Sequence, residues 1–350
     1  MSYQANASQS LELLPSPNEL VAKLPATDSQ HAFVRHSRQA VVDILNGRCS
    51  RLLMVVGPCS IHDITAAKDF AKKLQHLSEH VSGSIQLVMR TYFEKPRTSV
   101  GWKGMLYDPG LDGSNDVLNG LTQSRQLLVD LAEMRVATAT EFLDTSSPRY
   151  LGDLISWGSV GSRTSESQAH RQMISALSIP TGFKNGTDGN LEIAVNALHV
   201  AGVPHAFIGL NDDGRICVVR SKGNPDCHIV LRGGSGRPNY DKASVLHAQQ
   251  LLRDHGFPAR LMVDCSHDNS GKNHDKQADV FRDVMEQILS GNHNIVGMIL
   301  ESHLKAGSQI LSPSARALAD QSVTDPCLDW ETTEQLILWA NDALKTRAHS

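Results

Sequence analysis

Short runs of apolar and β-branched residues recur along the chain, each ending in a charged or glycine-rich tip and followed by a stretch of helical periodicity. The runs are LLMVVGPCS (52–60), IQLVMRTYFEK (85–95), TATEFLD (138–144), SVGSR (159–163), TGFKNG (181–186), HIVLRGG (228–234), LMVDCSHDNS (261–270) and GMILESHL (297–304), eight in all. Apolar runs without polar alternation suit strands buried on both faces, as in a parallel sheet covered by helices. Between them, residues 65–79 place Phe70, Leu74 and Leu77 on one helical face, and residues 188–201 do the same with Leu191, Val195 and Leu198 before Gly202. Residues 276–290 carry Val280, Val284 and Ile288, with Gly291 as the stop. Ser147 reads as a helix N-cap with Pro148 at the first helical position. Strand and helix alternating eight times predict an α/β protein of the (β/α)8 TIM-barrel type.

Two segments stand outside that count. HAFIGLNDDGRICVVRS (205–221) reads as a β-hairpin turning at Asp213-Gly214, inserted between the fifth helix and the sixth barrel strand. Residues 1–50 precede the first strand and form an N-terminal extension for oligomer or regulatory contacts, with a helix near 29–46. Residues 51–350 are then the catalytic barrel with its hairpin. No internal sequence repeat, linker or low-complexity tract interrupts it.

Composition narrows the functional classes. The 350 residues, 40% hydrophobic and 20% charged, are those of an ordinary globular protein. A net charge of -4 argues against nucleic acid or an anionic membrane as a partner, so any anion site must be built locally. The start MSYQANASQS lacks the basic and apolar regions of a signal peptide, and apolar runs such as LLMVV are too short to span a bilayer. Cysteines at 49, 59, 217, 227, 265 and 327 form no CxxC pair, so reduced thiols and a cytoplasmic location are expected.

Barrels of this type carry their active sites at the C-terminal strand ends. The tips here supply Cys59, Arg90, Lys95, Glu141, Arg163, Lys184, Arg232, His267 and Glu301, and Asp325 follows the last strand. One lone arginine on a loop is ordinarily a solvated charge. Arg90, Arg163, Lys184 and Arg232 at four equivalent tips, with Lys95 and Arg97 nearby, would repel one another unless an anion joined them. A small ligand with carboxylate and phosphate groups suits such a set. Cys59, His267, Glu301 and Asp325 bring one thiolate, one imidazole and two carboxylates, atoms fit for a divalent transition metal, though their spacing carries no signal of its own. The glycine-rich LRGGSGRP (231–238) lacks dinucleotide-loop spacing.

The same tips carry a family resemblance. GPCSIHD (57–63), RTYFEKPRTSVGWKG (90–104), EFLD (141–144), GSRTSESQ (161–168), GFKNGTDG (182–189), LRGG (231–234), DCSH (264–267), ESH (301–303) and TDPC (324–327) resemble the type I 3-deoxy-D-arabino-heptulosonate-7-phosphate (DAHP) synthases, in their microbial feedback-regulated branch. The resemblance runs from about residue 12 to residue 345. It implies an aldol-type condensation of phosphoenolpyruvate with erythrose 4-phosphate and water, releasing phosphate, at the entry to the shikimate pathway. By motif, Cys59, His267, Glu301 and Asp325 correspond to metal ligands, with Mn2+ expected first and Fe2+, Co2+ or Zn2+ as alternatives. Arg90, Lys95, Arg163, Lys184, Arg232 and the backbone of Ser162 correspond to the phosphoenolpyruvate site; Lys95, Pro96, Arg97 and Thr98 match the erythrose 4-phosphate segment. Lys95 is the expected general acid, and Glu141 is expected either to place the attacking water or to pair with the cations.

Family members with this extension and hairpin bind an aromatic amino acid away from the barrel mouth. The matching positions are Pro148, Arg149, Leu177, Ser178, Phe207, Gly209 and Val219, with a neighbouring subunit's N-terminal tail closing the site in a homodimer or homotetramer. Gly209 stands where phenylalanine-sensitive relatives have serine and tyrosine-sensitive ones glycine, so tyrosine is the expected effector, then tryptophan. Three rivals remain: a sister phosphoenolpyruvate–aldose synthase, which KPRT and VGWKG argue against; an inactive regulatory paralogue, which the intact Cys59 and Lys95 argue against; and a barrel metallohydrolase, which would carry more strand-end histidines.

Overall fold

Strands buried along nearly their whole length cannot lie at a surface, and in the computed structural model they close on themselves. It describes residues 10–311 and 316–348. In chain order the elements are α1 (Pro17–Lys23), α2 (Asp28–Leu45), β1 (Leu52–Gly57), α3 (Ile64–Val81), β2 (Ile85–Arg90), α4 (Val117–Glu133), β3 (Thr138–Glu141), α5 (Ser147–Leu151), β4 (Trp157–Val160), α6 (Gln168–Ser175), β5 (Thr181–Lys184), α7 (Glu192–Ala201), β6 (Ala206–Leu210), β7 (Ile216–Arg220), β8 (Cys227–Leu231), α8 (Lys242–Asp254), β9 (Leu261–Asp264), α9 (Lys276–Leu289), β10 (Ile295–Glu301) and α10 (Trp330–Ala348). Eight strands form a closed parallel barrel in the order β1-β10-β9-β8-β5-β4-β3-β2, as the (β/α)8 reading requires. Strands β6 and β7 make the separate antiparallel hairpin, with Gly209 opposite Cys217 and the turn at Asp213-Gly214.

The barrel interior is packed, not hollow. Leu53, Val55, Val88, Ala139, Trp157, Val230, Met262 and Ile299 fill it, and Val41, Ile44 and Leu45 of α2 complete the same cluster. Helix α2 is therefore the floor of the barrel. Burying each of those three side chains contributes about 2 kcal/mol. Glycine makes the interior possible: a Cβ at Gly182 would come 2.6 Å from Val230 and 2.8 Å from the Trp157 ring. The Trp157 indole donates to Nε2 of His228 at 3.1 Å, so that buried imidazole is neutral; burial lowers its pKa to about 4.

Two details depart from the sequence reading. Ser147 is the first residue of α5, not its N-cap, and Pro148 is the second; Ser146 precedes them without capping through its side chain. The reason is a buried competitor, since the Ser147 hydroxyl donates to Oε2 of Glu94 at 2.8 Å. Helix α7 starts at Glu192 because Asp188 and Asn190 accept from the backbone ahead of it and turn the chain. At the other end, α1 is tied to the hairpin tip: Asn18 N–H donates to the Asp212 carbonyl at 2.8 Å and its amide to Asp213 at 2.8 Å.

Candidate active site

Parallel strands all deliver their C-terminal residues to one mouth, and the mouth here is a single polar cavity. Arg90, Lys95, Pro96, Arg97, Glu141, Ser162, Arg163, Lys184, Arg232, His267, Glu301 and Asp325 all line it. Thr98 lies beside it and accepts from Nε of Arg163 at 3.0 Å. Cys59 is fully buried behind the wall.

The cations do not face one another bare. Arg90 meets Glu301 at 3.0 Å, Lys184 meets Asp264 at 3.1 Å and Glu141 at 3.5 Å, and Arg232 meets Asp268 at 2.8 Å. Mutual repulsion, expected of the tips alone, is thus partly offset by carboxylates. The pairing is incomplete. Among the described residues, Nη1 of Arg90 and Nε of Arg232 are buried donors with no protein acceptor, and both side chains bound the cavity. An unpaired buried donor costs about 1–3 kcal/mol, which an anionic ligand would relieve. The Arg90 guanidinium also lies over the Tyr92 ring, 3.9 Å from its centroid, a cation–π contact that helps hold it in place.

The second subset also converges. Ligand atoms of Cys59, Glu301 and Asp325 lie within 4.8 Å of one another. His267 stands just outside this group, its Nε2 4.0 Å from Oε1 of Glu301. It adopts φ 57°, a left-handed conformation that costs a non-glycine residue about 1–2 kcal/mol. The ammonium of Lys95 donates to Sγ of Cys59 at 3.0 Å and lies 3.7 Å from Asp325. Burial, with Glu301 adding to it, pushes the Cys59 thiol up to about 12. Burial alone would raise Asp325 as well, but Lys95 and His267 outweigh it and hold that carboxyl at about 2. Lys95 itself is raised, since Cys59, Asp325 and Glu301 overcome its desolvation. A buried sulfur and two converging carboxylates are a donor set fit for a divalent transition metal, whose binding would displace the thiol proton.

A second cavity lies between α5, α6 and the hairpin. Pro148, Arg149, Leu177, Phe207, Gly209 and Val219 line it together with Met173 and Ala176; Ser178 does not. Its walls are mainly apolar side chains. The two cavities are linked by Glu94, whose neighbour Lys95 sits in the first and whose partner Ser147 precedes Pro148 in the second.

Several residues at the mouth were not singled out from the sequence: Tyr92, Asp264, Ser266, Asp268 and Lys272. Asp264 carried a signal in DCSH, a carboxylate ending a strand three residues before a proposed ligand histidine.

Fold and site together define a barrel with a cation-lined mouth beside a mixed sulfur and carboxylate donor set. The chain belongs to the DAHP synthetase I family, whose model matches residues 23–337. It is 46% identical over 336 residues to the Phe-sensitive phospho-2-dehydro-3-deoxyheptonate aldolase of Escherichia coli (strain K12), covering 96% of this chain and 95% of that protein. It is 47% identical over 327 residues to the Tyr-sensitive enzyme of the same organism, covering 93% and 92%. The solved structure of phospho-2-dehydro-3-deoxyheptonate aldolase from Francisella tularensis SCHU S4 superimposes with a TM-score of 0.94 at 40% identity, over 98% of this chain and 99% of that one.

Proposed function

We propose that this chain condenses phosphoenolpyruvate with erythrose 4-phosphate and water to give DAHP and phosphate. The observation that carries the reading is the convergence of Arg90, Arg163, Lys184 and Arg232 on one mouth beside Cys59, Glu301 and Asp325, in a chain of this family. Arg163, Lys184 and Arg232 hold the phosphate and carboxylate of phosphoenolpyruvate, with Arg90 supplying its free Nη1 and Ser162 its backbone. Pro96, Arg97 and Thr98 shape the aldose side, where the Arg97 guanidinium, fixed through Nε to the Trp102 carbonyl at 2.8 Å, meets the second phosphate. Orientation of two small substrates is a large share of the rate enhancement.

C3 of the enol attacks the aldehyde carbon, and Lys95 donates a proton to the oxygen as it becomes an alkoxide. Water adds to C2, its proton is lost, and the C2–oxygen bond to phosphate breaks with release of inorganic phosphate. Glu141, buried 3.5 Å from Lys184, orients that water. Cys59, His267, Glu301 and Asp325 would hold a divalent metal, Mn2+ first among the candidates, which polarises the aldehyde when bound.

A coupled assay with both substrates tests this. Turnover is expected with erythrose 4-phosphate and not with arabinose 5-phosphate, lost on chelation and restored by Mn2+, and absent together with metal in His267→Ala. Full activity in the chelated enzyme would refute the metal reading. The second cavity supports a further reading, feedback inhibition by an aromatic amino acid, since Pro148, Met173, Leu177, Phe207 and Val219 give it apolar walls suited to an aromatic side chain.

A further inference from the structure

Asp264 closes β9, and its carboxylate is completely buried at the mouth. Its two oxygens serve different neighbours. Oδ1 accepts from the Ser266 backbone N–H at 3.0 Å and from the Ser266 hydroxyl at 2.6 Å. Oδ2 lies 3.1 Å from Nζ of Lys184 and 3.1 Å from Nδ1 of His267. Neither contact of Oδ2 has the alignment of a hydrogen bond, and the ammonium of Lys184 supplies the charge that holds it there.

Proton counting then fixes the histidine. Ser266 has one hydroxyl proton. The ionised carboxylate can only accept, so at 2.6 Å that proton belongs to Oδ1 of Asp264. The Ser266 oxygen also sits 2.7 Å from Nδ1 of His267, and with its proton committed it must accept there. Nδ1 therefore carries a hydrogen, and in the neutral ring, the form that binds a metal, Nε2 presents its lone pair. Nε2 is the nitrogen that faces Glu301 and the donor set. The same carboxylate grips Lys184 on its other side.

We propose that Asp264 is a positioning residue that sets the tautomer and orientation of His267 through Ser266 while anchoring Lys184. One buried carboxylate thereby couples the metal-donor half of the mouth to the anion-holding half. This rests on the metal-dependent condensation proposed above. The competing role is charge balance alone, in which Asp264 only neutralises Lys184 and His267 orients itself.

Co2+ binding measured by chelator competition, with the thiolate-to-cobalt absorption as signal, separates the two roles. Ser266→Ala breaks the relay to His267 without touching Lys184. Loss of such an outer contact lowers metal affinity by roughly 10–100-fold, and the KM for phosphoenolpyruvate is expected to stay near the wild-type value when metal is saturating. Asp264→Asn is expected to weaken Co2+ binding and raise that KM together. If Asp264→Asn fails to fold, Ser266→Ala still decides. Wild-type Co2+ affinity in Ser266→Ala, or a change confined to KM in Asp264→Asn, overturns the proposal. A wild-type chain that binds no Co2+ instead removes the metal reading beneath it.

Discussion

Replacing Glu94 with glutamine should abolish a pH dependence of stability that the buried carboxyl imposes on the wild type. Glu94 is 4% exposed, accepts from the Asp144 N–H at 3.0 Å, the Tyr107 hydroxyl at 3.3 Å and the Ser147 hydroxyl at 2.8 Å, and has no cation among those partners. Burial, reinforced by the charge of Asp144 and opposed by Ser147, lifts its pKa from 4.5 to about 7. The folded state thus keeps a proton that the unfolded chain has lost. The contribution of Glu94 to stability is highest below pH 4.5, falls as pH rises to about 7, and is level beyond. At 1.36 kcal/mol per unit the full change is of order 3 kcal/mol. Glutamine keeps the shape and one accepting oxygen, and its amide can donate to Ser147, so the variant lacks the titration without leaving a hole. Urea unfolding of both proteins from about pH 5 to pH 8 gives two curves. Groups such as Asp325 cancel in their difference, which should grow in favour of the variant by about 2.5 kcal/mol across the window. Parallel curves would refute the argument, and would mean that Glu94 is charged in the fold throughout.

Arg97→Ala should raise the KM for erythrose 4-phosphate by about tenfold or more and leave that for phosphoenolpyruvate nearly unchanged, and Arg232→Ala should do the reverse; equal effects on both substrates would dissolve the division of the cations. Inhibition is expected from tyrosine first, tryptophan second and phenylalanine weakly. A Cβ at Gly209 would come 2.8 Å from Cγ2 of Val219, so Gly209→Ser must shift a side chain that lines the cavity; the half-inhibitory tyrosine concentration should rise about tenfold, or about 1.4 kcal/mol, and no response to any of the three amino acids at millimolar levels would remove the effector reading. Cys327 is buried beside Cys59, whose charge helps raise it after burial; Cys327→Ser should slow air inactivation of the chelated enzyme, and an unchanged decay would exclude pairing of these thiols.

Strand positions were legible where burial on both faces makes a run apolar throughout, as in LLMVV and LMV, whereas β3 buries Thr138, Thr140 and Glu141 and is marked less by its composition. The mouth was legible through topology, since a parallel barrel brings every tip to one end whatever the loops do. What the sequence concealed is pairing. Nothing in the spacing of Lys184 and Asp264, or Arg232 and Asp268, shows that they touch, because they meet through barrel closure and not along one element. Helix α10 escaped because its buried positions, Trp330, Thr333, Leu336, Ile337, Ala340 and Asn341, mix polar with apolar residues, so its face reads weakly as hydrophobic. Ser147 misled because a serine before proline is a sound capping signal, and only the distant Glu94 diverts its hydroxyl.

The seam of the barrel joins its first strand to its last, with Leu53 opposite Gly297 and Gly57 opposite Glu301. A chain emerging from the ribosome makes β1 long before β10 exists, so β1 can pair early with β2 along one edge while its other edge waits for most of the synthesis. Contacts of such sequence separation form late and slowly. Cys59 stands just past one side of that seam and Glu301 ends the other, with Asp325 later still. The donor set therefore cannot assemble on any nascent chain shorter than 325 residues, and chemistry begins only when the circle is shut.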